Sequence, residues 1–422
     1  MNVKDIKRAK PVAPDDVKKL QRTVEEIIQT VRAGGDGAIA EYSRKFDGHG
    51  GPSRVTDEQI DAARQELSPA LLEGLDFAIQ QVTAFANAQR AQITEFEQEI
   101  APGVYMGHRL VPVASCAAYV PAGRYPCATS AVMSLVPAAV AGVKRLVAVS
   151  SPGQEKRINP AILYTMAEIG ATEIYCLGGA HAIAAMALGT ETIAPVDMIV
   201  GPGNQYVMEA KRQLYGTVGI DFLAGPSECM VIADETGRAD YISADLLAQC
   251  EHDPNARGAF VTTSEQLATE VVTEIERQLG ELTTEEVARR SWEDNGIIVV
   301  VPTLADAADY ANDYGPEHLE VHARDPKALV PQLTSYGSLF LGESAAEVFA
   351  DKVSGTNHIL PTARAARYTG GLWVGHFLKV ITHQWVDERG VQLLAPYSER
   401  QAEYEGMDAH RRAAAIRLTP KA

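Results

Sequence analysis

Four stretches of this 422-residue chain gather side chains able to bind a metal or move a proton. In Leu246-Leu247-Ala248-Gln249-Cys250-Glu251-His252-Asp253 the preceding residues 239–247 have helical character, with Ile242, Leu246 and Leu247 on one stripe. Gln249 and His252, spaced i, i+3, then project from one helix face. An amide oxygen and an imidazole nitrogen so placed supply half of a divalent-ion shell, although the same pair also serves as an ordinary surface pair. Gly315-Pro316-Glu317-His318-Leu319 sets a carboxylate beside an imidazole at the start of an apolar run, which suits general acid/base work in a cleft. On a strand the two would face opposite ways; on a turn both could face a substrate. The bland alternative is a capping Glu317 and a satisfied His318. Asp351, in Asp351-Lys352-Val353-Ser354-Gly355-Thr356-Asn357-His358, offers the oxygen ligand that Gln249 and His252 lack, and the tail adds Glu405 and His410. Two histidines, an amide oxygen and a carboxylate suit zinc better than calcium.

Three glycine-rich turns could meet a nucleotide: Tyr119-Val120-Pro121-Ala122-Gly123, Gly178-Gly179-Ala180-His181 and Gly201-Pro202-Gly203-Asn204. Each follows an apolar, strand-like run and the last two open a helical stretch, so backbone N–H groups there could face a phosphate. No Gly-x-Gly-x-x-Gly is present, and each turn could equally be a plain tight turn.

These residues need elements to position them. Residues 15–32 carry apolar side chains at helical spacing, ended by Gly34-Gly35; Thr56 and Gln59 have capping-box spacing, and Ser68-Pro69 opens a third helix. From residue 116 short apolar runs at 117–120, 145–149, 174–177 and 198–200 alternate with stretches long enough for crossover helices, the pattern of a parallel sheet. A second series follows at 230–233, 260–263, 297–301, 319–322 and 339–341. The expected fold class is therefore α/β: two tandem doubly wound, incomplete Rossmann-like domains, with a cleft between them, a helical N-terminal region and a small helical tail. The expected division is an arm over 1–13, a metal and acid/base domain over 14–115 plus 229–372, a nucleotide domain over 116–228, and a tail over 373–422.

Composition narrows the partners. An apolar fraction of 46% fits a globular core, and a formal charge of −17 argues against nucleic acid and anionic membrane, leaving small molecules. No run of about 18 apolar residues and no signal-like N-terminus is present, which points to the cytoplasm. Five cysteines without a Cys-x-x-Cys argue against a disulfide framework.

Taken in order, Gly201-Pro202-Gly203-Asn204, Ala224-Gly225-Pro226-Ser227-Glu228, Gln249-Cys250-Glu251-His252, Gly315-Pro316-Glu317-His318-Leu319 and Ser354-Gly355-Thr356-Asn357-His358-Ile359-Leu360-Pro361 resemble the histidinol dehydrogenase family over nearly the whole chain. The resemblance implies a zinc-containing, NAD-linked enzyme that oxidises a primary alcohol to a carboxylate in two steps through an aldehyde. It assigns zinc to Gln249, His252, Asp351 and His410, acid/base work to Glu317 and His318, substrate contacts to Ser227, His358 and Glu405, and cofactor contacts to Tyr119 and Asn204. It also implies a homodimer with composite sites, the tail ligand coming from the partner subunit. A cysteine thiohemiacetal is the alternative chemistry, but no cysteine lies in a motif that needs one, and Cys250 reads as a spacer. His181 stands where the histidine-biosynthetic members usually carry glutamine near the cofactor. Gly123-Arg124-Tyr125-Pro126 and the stretch 366–379 look like the branch that includes sulfopropanediol dehydrogenases, which oxidise 2,3-dihydroxypropane-1-sulfonate to sulfolactate. Arg124 and Arg367 are then candidates for pairing with a sulfonate, since a guanidinium binds an anion through two hydrogen bonds. The alternatives are L-histidinol as substrate, with those arginines on the surface or at a cofactor phosphate, and, more remotely, a non-catalytic homologue that binds metal and nucleotide.

Overall fold

The computed structural model describes residues 4–10, 17–48, 50, 53–123 and 125–419. Its first sheet is wholly parallel, in the order Glu173–Cys176, Arg145–Ser150, Ser115–Val120, Met198–Val200, Gly219–Ile220. Strands buried on both faces need helices on both. Ala128–Ala141 and Pro160–Glu168 cover one face; Gly179–Leu188 and Gln205–Leu214 cover the other.

The N-terminal helices complete these layers. Thr56 and Gln59 form the expected capping box at the head of Asp57–Glu66, and the Ser68 hydroxyl accepts from Leu71 N at the head of Pro69–Ala91. Both helices pack on the first sheet's helices, as does Val17–Tyr42 on the other side. The sequence-based division placed 14–115 with the second sheet; the apolar stripe Val24, Ile27, Ile28, Val31 is instead buried in the cluster containing Val147 and Ile183 of the first. Gly34-Gly35 ends the first helix as expected: Gly35 takes a non-helical φ of 49°, and a second helix starts directly after it, the Glu191 carboxylate accepting from Asp36 N at 2.7 Å, and runs on to Tyr42.

The second sheet runs Lys4–Lys7, Ile297–Val300, Arg257–Thr262, Glu228–Ala233, His318–His322, Ser338–Leu341, parallel except for its first edge strand. Helices Ala239–Cys250, Glu265–Leu279 and Glu285–Asn295 cover one face, and Leu304–Tyr314 the other.

The tail is not purely helical, as it was expected to be. Leu378–Val386 pairs along nine residues with Val104–Pro112, itself paired with Phe96–Ala101, before helices Glu388–Tyr404 and Asp408–Ala415. The period of this strand was hidden because neither of its faces is buried in the chain: Val380, Ile381 and Trp385 are exposed, and so are Leu393, Leu394 and Tyr397 on the following helix.

Candidate active site

Three elements of the second sheet's layer converge along one seam. In His318–His322 alternate side chains face opposite ways, so Leu319 and Val321 enter the apolar cluster of Leu304–Tyr314 while His318, Glu320 and His322 face the other side. Over that side runs Ala239–Cys250, on which Asp245 and Gln249 lie four residues apart on one face, with His252 a turn beyond. The short helix Glu347–Lys352 abuts it and presents Glu347 and Asp351 at the same spacing. Glu317, His318, Glu320, His322, Glu347, Gln249 and Asp351 are all buried. A polar row of this kind costs several kcal/mol unless its members are paired or neutral.

Glu317 and His318 reach the same interior because Glu317 sits on the turn before the strand. Its Oε2 accepts from Glu228 N at 2.8 Å and lies 3.8 Å from His318 Nδ1. His318 Nδ1 stands 3.2 Å from the Glu228 carbonyl oxygen. A carbonyl only accepts, so this bond assigns the ring proton to Nδ1 and leaves the Nε2 lone pair free. That Nε2 is buried without a hydrogen bond, 3.7 Å from Glu347 Oε1. Burial lowers the His318 pKa to about 4, so the ring is neutral at pH 7 and ready to take a proton. Burial also raises Glu317 well above the carboxylate range, with the charge of Glu228 adding to the rise, and lifts Glu228 and Glu347 to about 7.

The last two shifts set a pH dependence of stability. Folded Glu228 and Glu347 hold protons up to about pH 7 that the unfolded chain releases near pH 4.3. Between those values the folded state binds more protons, so stability falls as pH rises, by as much as about 1.4 kcal/mol per pH unit for each group. His318 works the other way between about pH 4 and 6.5, because the unfolded imidazole is charged there, and cancels one of the two. The melting temperature of chelator-treated protein is therefore expected to fall from pH 5 to pH 7; a flat or rising profile would contradict this electrostatic assignment.

The proposed metal donors are partly assembled by this chain. Gln249 is fully buried, and neither its amide oxygen nor its amide nitrogen has a hydrogen-bond partner, the signature of a group built to meet something bound. His252 follows it by a turn, its N–H on the Gln249 carbonyl at 3.3 Å. Burial opposes ionisation of Asp351, but His358 Nδ1 at 2.9 Å and the Lys352 ammonium hold its carboxyl well below the usual range. Glu347 feels the charges of both Asp351 and His252. An ionised carboxylate, an imidazole and an orphaned amide fit a zinc-type cation. Glu405 and His410 are exposed on the tail, their side chains without hydrogen-bond or ion-pair partners among the described residues.

The first sheet meets this seam at its carboxyl edge. Ser130 Oγ lies 3.2 Å from His358 Nε2, Asn357 donates to the Met133 carbonyl at 2.8 Å, and Tyr125 OH donates to the Glu251 carbonyl at 3.1 Å. Tyr119 is buried there, its hydroxyl accepting from Gly179 N at 3.1 Å. Asn204 caps Gln205–Leu214, its Oδ1 accepting from the N–H groups of Tyr206 and Val207. The turn before it is pinned by the buried Lys211–Asp221 pair, Lys211 donating to the Gly201 carbonyl and Asp221 accepting from Gly201 N. A side chain at Gly123 would meet nothing within 4 Å among the described residues. His181 turns inward instead: it is fully buried, with Nε2 3.2 Å from Asp47 and its ring against Tyr42 and Phe46.

Ser227 is half-buried on the loop before Glu228–Ala233, which is tied to the 361–367 loop through Gly225 N to Thr362 and Ala363 N to Glu228. Arg367 is exposed, its Nε donating to the Arg364 carbonyl at 3.2 Å, and is not among the side chains gathered round His318. Arg124 lies outside the described residues. Sequence reasoning passed over Glu228, Asp245, Glu320, His322 and Glu347. A signal existed for most of them in the alternation His318-Leu319-Glu320-Val321-His322 and the four-residue spacings Asp245/Gln249 and Glu347/Asp351.

Comparison with known proteins agrees with this geometry. A family model described as Histidinol dehydrogenase matches residues 11–418. A histidinol dehydrogenase homolog of Shouchella clausii is 44% identical over 401 residues, covering 95% of this chain and 94% of the relative. The sulfopropanediol 3-dehydrogenase of Ruegeria pomeroyi is 38% identical, covering 99% of this chain and 97% of that one. The crystal structure of histidinol dehydrogenase from Elizabethkingia anophelis superposes with a TM-score of 0.92 at 35% identity, covering 97% of this chain and 94% of that one. With a family match over nearly its full length and a shared fold, the chain belongs to the histidinol dehydrogenase family.

Proposed function

We propose that the chain is a zinc-dependent, NAD-linked dehydrogenase that oxidises a primary alcohol to a carboxylate in two hydride-transfer steps through an aldehyde. The observation that carries this reading is the neutral His318, its Nε2 buried and unpartnered 3.7 Å from Glu347, together with the orphaned buried amide of Gln249. Gln249, His252 and Asp351 would hold zinc together with His410 from a second copy of the chain, and Tyr119 and Asn204 would border NAD. When bound, zinc supplies a Lewis acid that orients the alcohol, and NAD supplies the hydride acceptor.

The chain's own residues do the rest. His318 Nε2 takes the alcohol proton while Nδ1 stays anchored on the Glu228 carbonyl. Glu317, in its ionised form, takes a proton from the water that hydrates the aldehyde; burial makes that form a stronger base than an ordinary carboxylate and scarcer, and the bond from Glu228 N favours it. Each transfer contributes about 10²- to 10⁴-fold. Ser227, His358 and Glu405 line the substrate. A homodimer with exchanged tails would complete the site, and its support is the exposed apolar face of the tail together with the exposed Glu405 and His410. Five unpaired cysteines fit a reducing cytoplasm.

The favoured substrate is 2,3-dihydroxypropane-1-sulfonate, oxidised to sulfolactate, on the likeness of residues 123–126 and 366–379 to that branch; Arg124 is its proposed anion contact. L-histidinol is the second reading, supported by relatives such as the histidinol dehydrogenase of Agrobacterium fabrum at 44% identity. Purified protein with zinc is expected to form two NADH per substrate, with dihydroxypropanesulfonate ahead of L-histidinol in kcat/KM. Turnover of L-histidinol alone overturns the substrate assignment, and one NADH per substrate overturns the two-step reaction.

A further inference from the structure

The seam does not end at the proposed zinc donors. Beyond Glu347 it continues to a second group, Asp245, Glu320 and His322, whose ligand-type atoms all lie within 4.8 Å of one another. His322 Nε2 is 3.0 Å from Glu320 Oε2 and 3.9 Å from Asp245 Oδ2. The geometry points to a second divalent-cation site at Asp245, Glu320 and His322, distinct from the one at Gln249, His252 and Asp351.

Three observations carry this. First, Glu320 and His322 are fully buried, yet both ring nitrogens of His322 lack a hydrogen bond, and Glu320 Oε2 has none except with a protonated Asp245. The 3.0 Å separation is short enough for one, so the geometry between the two atoms is not that of a hydrogen bond. Ligand atoms about 2.0–2.2 Å from a zinc-type ion lie about 3–3.5 Å apart; the His322–Glu320 separation matches, and Asp245, at 3.9 Å from His322, would draw in slightly on binding. Second, the other Glu320 oxygen is fixed, accepting from Glu347 N at 2.7 Å, so Oε2 is held in place. Third, the charges balance. Two carboxylates and a neutral imidazole beside a divalent ion sum to zero, whereas without a cation burial and then the charge of Glu320 push Asp245 up to about 9, and the pair cannot both ionise. Asp245 is the least buried of the three, with 12% of its side chain exposed, and gives the entry path. One imidazole with two carboxylates selects a first-row ion of the zinc or manganese type over calcium.

The test is metal stoichiometry on full-length protein, stripped with chelator, dialysed against zinc and counted by mass spectrometry. Wild type is expected to bind two ions per chain, His322→Leu one, His252→Asn one and the double variant none. A wild type with one ion per chain, or a His322→Leu chain that keeps two, overturns the second site. His252→Asn retaining two would instead overturn the zinc assignment of the proposed function and leave this one standing. Should His322→Leu fail to fold, cobalt titration of wild type followed by visible absorption decides: two saturation steps support the proposal and a single step overturns it.

Discussion

His318→Asn is expected to lower kcat for the first hydride transfer by about 10²- to 10⁴-fold and to leave zinc content at the wild-type level. Asparagine keeps an N–H that can reach the Glu228 carbonyl, now held by Nδ1 at 3.2 Å, so the local packing has a substitute anchor. What disappears is the buried lone pair on Nε2, the one basic atom of this ring that no hydrogen bond uses. The pH profile separates this role from a structural one. A neutral histidine lowered to about 4 keeps wild-type activity through mildly acid pH as far as this group is concerned, and the variant's residual activity should lose the acid limb near pH 4. Zinc lost along with activity would mean that His318 is a ligand and not a base.

The second large effect is complementation between subunits. His318→Asn and His410→Asn homodimers are each expected to be nearly inactive, because each places its lesion in both sites. Unfolded together and refolded at equal amounts, half the dimers are mixed, and each mixed dimer has one site built from an intact core and an intact tail. About a quarter of wild-type activity should return. No recovery, with mixed dimers present by native mass spectrometry, would show that each tail serves its own chain. The exposed Glu405 and His410, and the strand Leu378–Val386 with Val380, Ile381 and Trp385 uncovered, are what this experiment probes.

Both predictions depend on residues whose types were legible and whose surroundings were not. The two series of parallel strands could be read because buried parallel strands are continuous apolar runs, and the caps at Thr56 and Ser68 because capping is local hydrogen-bond chemistry. The strand Leu378–Val386 was illegible for the converse reason: a strand without a buried face in its own chain carries no burial period. Gly35 was legible as a helix end, but the second helix that starts directly after it was not, because its first N–H is met by the distant Glu191.

The amino-acid sequence by itself determined the α/β class, the family, and the identities of Gln249, His252, Glu317, His318 and Asp351, since these rest on periodicity and on residue types in short motifs. Only the tertiary structure decided that the N-terminal helices cover the first sheet, that His181 turns inward to Asp47 and that Arg367 stands exposed. It also joined Asp245, Glu320, His322 and Glu347 to the motif residues in one buried row. The reason is physical. A protonation state or a ligand geometry depends on what lies within a few ångströms, and elements separated by seventy or more residues come that close only when their apolar faces pack.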